Sequence, residues 1–515
     1  MYGLKNLKKK TNPKKIILAI VVILIGGNLN SQSNEDMIKK YINNQKIRFL
    51  NELIEFASLP NDVYQKNQIL ENAEYLSKIM ERRGISTQII ETKTGSPNVV
   101  GELKSDSSFP TILFYSHYDG VPTIRSNWSS DPFDPVLRKG ILSDSNRNSY
   151  VDEMEWNEMD QDWRVFARSI ADSKNAILTL LFAIDYYQAN EIEIPLNLKF
   201  YFDGEEELES PGMNGFVQTH SDFLQADLMI ICSGETHQSG LPTVKLGIRG
   251  ILNIDLKLTT ANVDLHSGHF GNFAPNAVLE MSRLLSSMKD KKGQITINGF
   301  YKDIIPFSES DKALIDDIPD VSDKLLSQFN IESPEIKGKL LQELINQPTL
   351  NIRGIKGGYV GSEARNIIPN KSEVSIDCRL VKGMDPERIF QLIIDHIKDQ
   401  GFNVVLNDQS SSIKEGWNTV EIRKGGAFSA SKIASDHHLS QKVIGIMKKL
   451  NSSNLVVEVT DAGSLALECF DHINVPFLSL PLSNFDCNQH TANENLAIGY
   501  FLKGIETIIH ILRWE

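Results

Sequence analysis

Short apolar runs alternate with amphipathic stretches over most of the first half of the chain. Three runs of buried-strand type, each ended by polar residues, are TILFYS (111–116), LNLKFYF (196–202) and DLMIIC (227–232). The longer run AILTLLFAIDYYQA (176–189) has the length and spacing of a helix. VPFLSL (475–480) repeats the strand pattern near the C-terminus. This alternation predicts an α/β domain with a mostly parallel sheet.

A different rhythm begins near residue 246 and lasts to about residue 426. Alternating strands such as GILNIDLKLTT and SEVSIDCRLV are interleaved with two helical stretches, NAVLEMSRLLSSMKD and DPERIFQLIIDHIKDQG. This order predicts an α+β, ferredoxin-like domain with two helices on an antiparallel sheet, inserted into the α/β domain. We therefore expect one domain formed by residues 34–245 and 427–515, split by an inserted domain at 246–426.

The first thirty-three residues have the pattern of a leader. Six lysines lie within residues 1–15, the apolar run IILAIVVILIGG occupies 16–27, and polar NLNSQSN follows. This order is typical of a secretory signal, and the apolar run is shorter than a bilayer-spanning helix requires. We therefore expect export to a periplasm or the medium. The alternative is an uncleaved N-terminal anchor, the one case in which we expect contact with a membrane.

Composition restricts the class of protein. The 515 residues include 53 basic and 66 acidic side chains, a formal net charge of −13, and such an acidic chain is not expected to bind nucleic acid. The four cysteines form no CxxC pair, which disfavours a thiolate zinc site. Cys469 and Cys487 could form a disulfide in an exported protein, or all four could be buried thiols.

Polar side chains gather where the predicted parallel strands end. In open α/β sheets this edge binds ligands. The residues placed there, or at the start of the helix that follows, are His117, Asp119, Asp172, Glu206, Glu207, Ser233, Glu235 and His490. Imidazole and carboxylate ligands suit zinc or a related divalent ion. Each residue alone has a structural explanation, such as a helix cap for Asp172, so the prediction of a metal site rests on their joint placement.

Six motifs, in order, resemble one known family. They are SHYDGVP, RSIADSKNA, DGEEELESPG, GIRG with VDLHSGHFG, RNIIP with CRLVKGMDP, and NQHTANENL. They are similar to the co-catalytic zinc peptidases, which include carnosine dipeptidases, glutamate carboxypeptidases, aminoacylases and succinyl-diaminopimelate desuccinylases. The resemblance covers about residues 40 to 510, and WSSDPFDP (128–135) and DWRVFARS (162–169) point to the dipeptidase-like branch.

The resemblance implies two divalent ions, zinc above all, and a role for each matching residue. It implies that His117, Asp172, Glu207 and His490 are metal ligands, with Asp172 bridging. Glu206 matches the general base, and Asp119 matches the carboxylate that supports the first histidine. His266 matches a histidine of the inserted lid that polarises the scissile carbonyl, often across a homodimer interface. Arg379, Gly463 and Ser464 match groups that hold the substrate carboxylate.

One position departs from the family pattern. The strand end ICSGETHQSG has Ser233 where an acid normally completes the metal site of His117. Three outcomes stay open: Glu235 replaces the missing acid, the site is weakened or holds one metal, or activity is lost.

The activity implied is metal-dependent hydrolysis of an amide bond in small peptides with a free carboxylate, of the dipeptidase or carboxypeptidase type. An N-acyl-amino-acid amidohydrolase is the alternative within the same chemistry. A catalytically impaired binding protein that retains the fold is the alternative of another class.

Overall fold

The computed structural model describes residues 13–145, 147, 149–406 and 418–515. Residues 1–12 of the predicted leader (1–33) lie outside the described residues. From Pro13 its backbone forms the start of a helix that ends at Ala57. Among the described residues, no helix is long and apolar enough to span a bilayer.

The first segment of the chain supplies most of the central sheet and the helices that cover it. Its helices are α1 (Pro13–Ala57), α2 (Lys66–Glu81), α3 (Asn175–Ala189), α4 (Met213–Thr219) and α5 (Ser221–Leu224). Its strands are β1 (Ser86–Glu91), β2 (Pro97–Leu103), β3 (Thr111–His117), β4 (Val136–Arg138), β5 (Arg164–Phe166), β6 (Asn197–Asp203), β7 (Leu228–Ile231) and β8 (Thr243–Lys245).

The middle segment forms a second sheet with its own helices. Its strands are β9 (Gly247–Ile248), β10 (Gly250–Thr259), β11 (Leu265–His266), β12 (Thr349–Lys356), β13 (Ile367–Ile368), β14 (Lys371–Leu380), β15 (Asn403–Leu406) and β16 (Thr419–Phe428). Its helices are α6 (Ser267–Phe270), α7 (Ala277–Met288), α8 (Glu309–Asp316), α9 (Ser322–Gln328), α10 (Leu341–Ile345) and α11 (Pro386–Asp399).

The last segment returns to the first domain. It contains the strands β17 (Ser431–Lys432), β18 (Val456–Glu458), β19 (Phe477–Ser479) and β20 (Asn495–Ala497). Its helices are α12 (His438–Leu450), α13 (Glu468–His472) and α14 (Ile498–Arg513). Strands β18 and β19 enter the sheet of the first segment, so the middle segment is an insertion into one α/β domain.

The central sheet has eight strands in the order β1-β2-β6-β3-β7-β19-β8-β18. Its middle is parallel, because β3 pairs in parallel with β6 and β7, and β19 pairs in parallel with β7. The carboxyl ends of these strands therefore meet at one edge. His117 ends β3 and faces Asp203, the last residue of β6, in the register.

A layer of helices packs on this sheet because α3 is apolar on almost every side. Its Phe182 stacks on Phe49 of α1 with ring centroids 4.3 Å apart, and it meets Phe501 of α14 edge-on at 6.1 Å. All three rings are fully or almost fully buried. Burial of each such ring contributes about 2–3 kcal/mol to the free energy of folding. The packed helices therefore hold the central sheet, and with it the edge at which its parallel strands end, in place.

The inserted domain, called the lid below, has a five-stranded sheet in the order β12-β14-β10-β16-β15. Helices α7 and α11 cover one face through a core that includes Met281, Leu284 and Ile393. Asp385 caps α11 by accepting the N–H of Glu387. The predicted antiparallel sheet needs one correction, because β15 pairs in parallel with β16. Helix α11 makes the crossover to β15 from a central strand, and this order brings β15 in parallel.

The long polar stretch 124–167 is partly structured. Its strands β4 and β5 join β20 in a three-stranded antiparallel sheet. The segment that carries His490 leads directly into β20, so the stretch and that segment are joined.

The helices between α7 and β12 leave the lid sheet and contact the α/β domain. Asp311 of α8 forms an ion pair of 2.5 Å with Lys432 of β17. Gln342 of α10 donates to Glu458 of β18 at 3.2 Å, and both side chains are buried. These helices, α8 to α10, are called the strap below.

All four cysteines lie within the described residues and are free and buried. Of the two arrangements that the sequence left open for Cys469 and Cys487, the structure has the buried thiols.

Candidate metal centre

Two overlapping groups of potential metal ligands lie at the carboxyl edge of the central sheet. One consists of His117, Glu206 and Glu207, and the other of Asp172, Glu207 and His490. Within each group the ligand atoms lie within 4.8 Å of one another. The structure therefore brings together the four residues predicted as ligands and the predicted base.

Asp172 lies between the two histidines. Its Oδ1 is 3.0 Å from Nε2 of His117, and its Oδ2 is 3.1 Å from Nε2 of His490. Oε2 of Glu207 is also 3.1 Å from Nε2 of His490. Ligands about 2.0–2.2 Å from one ion and arranged tetrahedrally have separations near these values, so Asp172, Glu207 and His490 fit a divalent ion.

Glu206 lies beside this group without belonging to it. Its Oε2 is 3.8 Å from Nε2 of His117, and its side chain is largely buried. A short turn over Glu206–Leu208 places adjacent carboxylates in different directions, so that Glu207 contacts His490 while Glu206 does not. The preceding Glu205 fixes this turn by accepting the N–H of Gly212 at 2.7 Å.

Asp119 connects the two sides of the site. Its Oδ1 is 3.3 Å from Nδ1 of His117, and its Oδ2 accepts the backbone N–H of Glu207 at 2.9 Å. Nε2 of the His117 ring is thereby directed at Asp172. This is the arrangement expected of a carboxylate that orients an imidazole.

Glu494 organises the loop that carries Asp172, and sequence reasoning missed it. This fully buried carboxylate accepts the backbone N–H groups of Ser169, Ala171 and Asp172 at 2.8, 2.9 and 3.1 Å. It also accepts a hydrogen bond from Arg168 at 2.7 Å. The position of Glu494 four residues after His490, within NQHTANENL, was a signal in the sequence.

The cluster of carboxylates in the site favours a positive charge beside it, as the pKa shifts of its members show. Burial alone would raise the pKa of Asp172, but His117 and His490 on either side hold it well below its usual range. Hydrogen bonds from His490 to Asp172 and Glu207 raise the pKa of His490 to about 11. Burial, with Glu207 and Asp172 adding to it, raises the pKa of Glu206 well above that of an ordinary glutamate. A cation bound at this cluster would relieve the repulsion among these carboxylates.

Neither Ser233 nor Glu235 belongs to the two groups of potential metal ligands found among the described residues. The Oγ of Ser233 is 2.8 Å from the Oγ of Ser173, which is itself 3.0 Å from Nε2 of His117. The backbone of Glu235 bridges Ser483, and the strongest electrostatic partners of Glu235 are Lys245 and Asp461.

The residues predicted to hold a substrate carboxylate form a second cluster. Nη1 of Arg379 donates to Oγ of Ser464 at 2.7 Å. Arg249, which sequence reasoning missed, donates its backbone N–H to the carbonyl of Gly463 at 3.2 Å and its side chain to that of Ala462. Burial and the nearby Arg379 lower the pKa of Arg249 to about 10. Two guanidinium groups in one cluster have the chemistry that suits an anion.

His266 is not brought to the ligand cluster of its own chain. It ends β11 in the lid, is exposed, and its Nδ1 accepts the N–H of Gly268 at 3.1 Å. Its ring lies 4.5 Å from that of His269. The side chain is therefore free to meet another surface.

Comparisons with known proteins agree with this geometry. Residues 246–404 match the family model described as a peptidase dimerisation domain. The chain is similar to the Cys-Gly metallodipeptidase dug1 of Schizosaccharomyces pombe, 26% identical over 93% of this chain and 98% of that protein. It is also similar to the Cys-Gly metallodipeptidase DUG1 of Saccharomyces cerevisiae, 24% identical over 90% of this chain and 94% of that protein. Among solved structures it resembles the metallo-carboxypeptidase Sso-CP2 of Sulfolobus solfataricus, with a TM-score of 0.75, 25% identity and coverage of 90% of this chain and 98% of that one.

The expectation of export is contradicted by the relatives. Fungal Cys-Gly metallodipeptidases are among the proteins that align with nine-tenths of the chain or more, and this kinship gives no support to a periplasmic or secreted location. The lysine-rich start and the short apolar run are a weak signal, because a basic flank and twelve apolar residues can also open a long helix such as α1.

Proposed function

We propose that this chain is a metal-dependent dipeptidase. The premise of the proposal is that the chain belongs to the M20 peptidase family with its dimerisation domain. The family is one of dinuclear metal peptidases, and its members that resemble this chain include metal-dependent dipeptidases and a metallo-carboxypeptidase. The observation that carries the proposal is the placement of Glu206 beside the group formed by Asp172, Glu207 and His490.

Zinc is the metal we propose for that group. One nitrogen and two carboxylate oxygens leave an open position, which is the arrangement of catalytic zinc sites. A divalent ion held there would supply a Lewis acid that polarises a carbonyl group and makes a nearby water more acidic.

Glu206 is the proposed general base and acid. Its carboxylate lies next to the site, and burial favours its protonated form, so it can take a proton from water and keep it. Returning that proton to the departing amine completes hydrolysis. Asp119 supports this chemistry indirectly, because it fixes both the His117 ring and the backbone of Glu207.

Arg379, Ser464 and Gly463 are proposed to bind the free carboxylate of the substrate. Binding of that group limits the enzyme to short peptides, since the carboxylate must lie a fixed distance from the scissile bond. The dipeptides Cys-Gly and β-Ala-His are candidates because relatives are named for them. The domain boundaries proposed are 34–245 and 427–515 for the catalytic domain and 246–426 for the lid.

We propose a homodimer formed through the lid. Strand β12 is an edge strand of the lid sheet, and it exposes Ile352 and Ile355. Phe273 and Val360 are also exposed, at 84% and 85% of their surface. A soluble lid leaves so many apolar side chains uncovered only when a second surface covers them. In such a dimer the exposed His266 can reach the site of the partner subunit.

The test is hydrolysis by the purified full chain. Dipeptides such as Cys-Gly and β-Ala-His, and N-acyl amino acids as the competing class, would be assayed with zinc and after removal of metal by a chelator. We expect zinc-dependent release of the C-terminal residue from dipeptides. Preferential cleavage of acyl amino acids would favour the amidohydrolase, and no hydrolysis of either class would favour the binding protein.

A further inference from the structure

A hydrogen-bonded pair of serines lies where the second ion of a dinuclear site would need a ligand. Ser233 follows the end of β7, and Ser173 follows Asp172 in the loop after β5. The Oγ of Ser173 contacts three groups at hydrogen-bond distance: Nε2 of His117 at 3.0 Å, Oδ1 of Asp172 at 3.1 Å and Oγ of Ser233 at 2.8 Å. The groups nearest this ring nitrogen of His117 are therefore one carboxylate oxygen and one hydroxyl group.

The donors on the two sides of Asp172 are unequal. On one side of Asp172 lie a carboxylate, Glu207, and an imidazole, His490, and Nε2 of His490 is 3.1 Å from a carboxylate oxygen of each acid. On the other side, Asp172 shares it with His117 and two hydroxyl groups. A serine hydroxyl is neutral and protonated near neutral pH, whereas zinc sites are built from imidazole, thiolate and carboxylate ligands, at least three from the protein.

No other acid replaces the one missing at Ser233. Glu235 forms a backbone bridge to Ser483, and its strongest electrostatic partners are Lys245 and Asp461, ahead of Asp172. Glu206 is 3.8 Å from Nε2 of His117, but its use as a ligand would remove the base on which hydrolysis depends. With Glu206 kept as the base and Glu207 committed to the ion beside His490, the donors left at His117 are one imidazole, the shared Asp172 and two hydroxyl groups. This set does not fit a second divalent ion.

We propose that this chain holds a single divalent ion, at Asp172, Glu207 and His490, and that His117 is a positioning residue. The inference rests on the metal site of the proposed function and departs from the dinuclear pattern of the family. In this arrangement His117 donates to Oδ1 of Asp172, and Ser173 supports the same oxygen. Oδ2 of Asp172 is then left to bind the ion beside His490. The hydrogen bond from His117 would orient the Asp172 carboxylate, a task that a second ion performs in a dinuclear site.

Metal content tests the number of ions. The full chain would be freed of metal, titrated with Zn²⁺ alone in the presence of a competing chelator, desalted and analysed for zinc by mass spectrometry. We expect one equivalent per chain in the wild type and in Ser233→Ala, and none in His490→Ala. Ser233→Asp restores an acid at the missing position, and we expect it to bind two. Two equivalents in the wild type, none in the wild type, or one in Ser233→Asp would each overturn the proposal.

A second measurement tests the role of His117. Titration with Co²⁺ alone reports occupancy through its visible absorption, independently of catalysis. We expect His117→Gln to retain one equivalent with an affinity lowered roughly 10- to 100-fold, the usual effect of losing a group that orients a ligand. We also expect His117→Asn, which is too short to reach Asp172, to be weaker than the glutamine variant. Complete loss of Co²⁺ binding in His117→Gln would show that His117 is itself a ligand.

The same preparations separate this inference from the proposed function. Hydrolysis with two bound ions would overturn the inference and leave the dipeptidase standing. One bound ion without hydrolysis of any dipeptide would overturn the proposed function and leave the single-ion inference standing.

Discussion

Glu494, a fully buried carboxylate, accepts the backbone N–H of Asp172 at 3.1 Å. The carboxylate also binds two further N–H groups of the loop and the guanidinium of Arg168. A buried residue that is not itself among the candidate ligands thus sets the position of Asp172, which both histidines contact.

Replacing this carboxylate should loosen the loop and leave Arg168 buried without its partner. We expect Glu494→Gln to lower the free energy of unfolding by about 3 kcal/mol, since breaking a buried ion pair typically costs 3–5 kcal/mol. Zinc affinity should fall as well, roughly 10-fold or more. Urea unfolding and zinc titration measure the two effects. Glu91→Gln, at an exposed position of β1, is the matched control and should change neither.

Glu206 should be needed for turnover and not for metal binding. We expect Glu206→Gln to lower kcat by roughly 10²- to 10⁴-fold, the usual contribution of general acid–base catalysis. Zinc content should stay at the wild-type value, because Glu206 lies outside the group of Asp172, Glu207 and His490. Steady-state kinetics and elemental analysis of the same sample check both points. Turnover within a factor of two of the wild type would exclude this residue as the base.

Arg379 should act on the substrate carboxylate. We expect Arg379→Ala to lower kcat/KM for dipeptides roughly 10- to 100-fold, because a hydrogen bond to a charged group contributes about 1.5–3 kcal/mol. Ser464→Ala, which removes the hydroxyl that Arg379 contacts, should have a smaller effect in the same direction. A dipeptide amide lacks the carboxylate and should lose little between wild type and variant. Equal losses on the acid and the amide would argue that Arg379 has only a structural role.

His237 should make stability depend on pH below neutrality. Burial, with Lys245 adding to it, lowers the pKa of this histidine to about 4 in the folded chain, against about 6.5 in an unfolded one. The unfolded chain therefore binds the proton first, and stability is lost as the pH falls from about 6.5 to about 4. The slope should be at most about 1.4 kcal/mol per pH unit. Urea unfolding of wild type and His237→Gln across this range should show a shallower slope in the variant, and parallel curves would contradict the assignment.

A mixed dimer tests whether His266 acts across the subunit interface. We expect His266→Ala and Glu206→Gln to be nearly inactive alone. After unfolding and refolding together, half of the dimers should be mixed, and each has one site with both groups intact. Activity should then return to about a quarter of the wild-type value. No recovery, with dimers confirmed by light scattering, would place His266 outside the partner's site.

Much of the architecture was readable because apolar runs report burial. TILFYS and LNLKFYF became β3 and β6, and their polar ends predicted where His117 and Glu206 would meet. The parallel pairing of β15 with β16 was missed because strand direction depends on a crossover and not on the pattern within either strand.

The supporting residues were harder to predict because they bind backbone atoms. Glu494 and Arg249 contact N–H and carbonyl groups whose positions exist only in the folded loop. Glu235 was a candidate ligand because it is two residues from Ser233. The backbone bridge to Ser483 lies more than two hundred residues away along the chain, so no local pattern could show it.

The strap has a consequence for how the molecule comes apart. Asp311 and Gln342 belong to helices of the inserted segment, and they contact Lys432 and Glu458 of the α/β domain. The two domains are therefore joined by an ion pair and a buried hydrogen bond, in addition to the two points where the chain crosses between them. Loss of one domain's order would strip these partners from the other. Heating should therefore melt lid and catalytic domain as a single cooperative unit, and a substitution deep in the lid should lower the melting temperature of the whole chain.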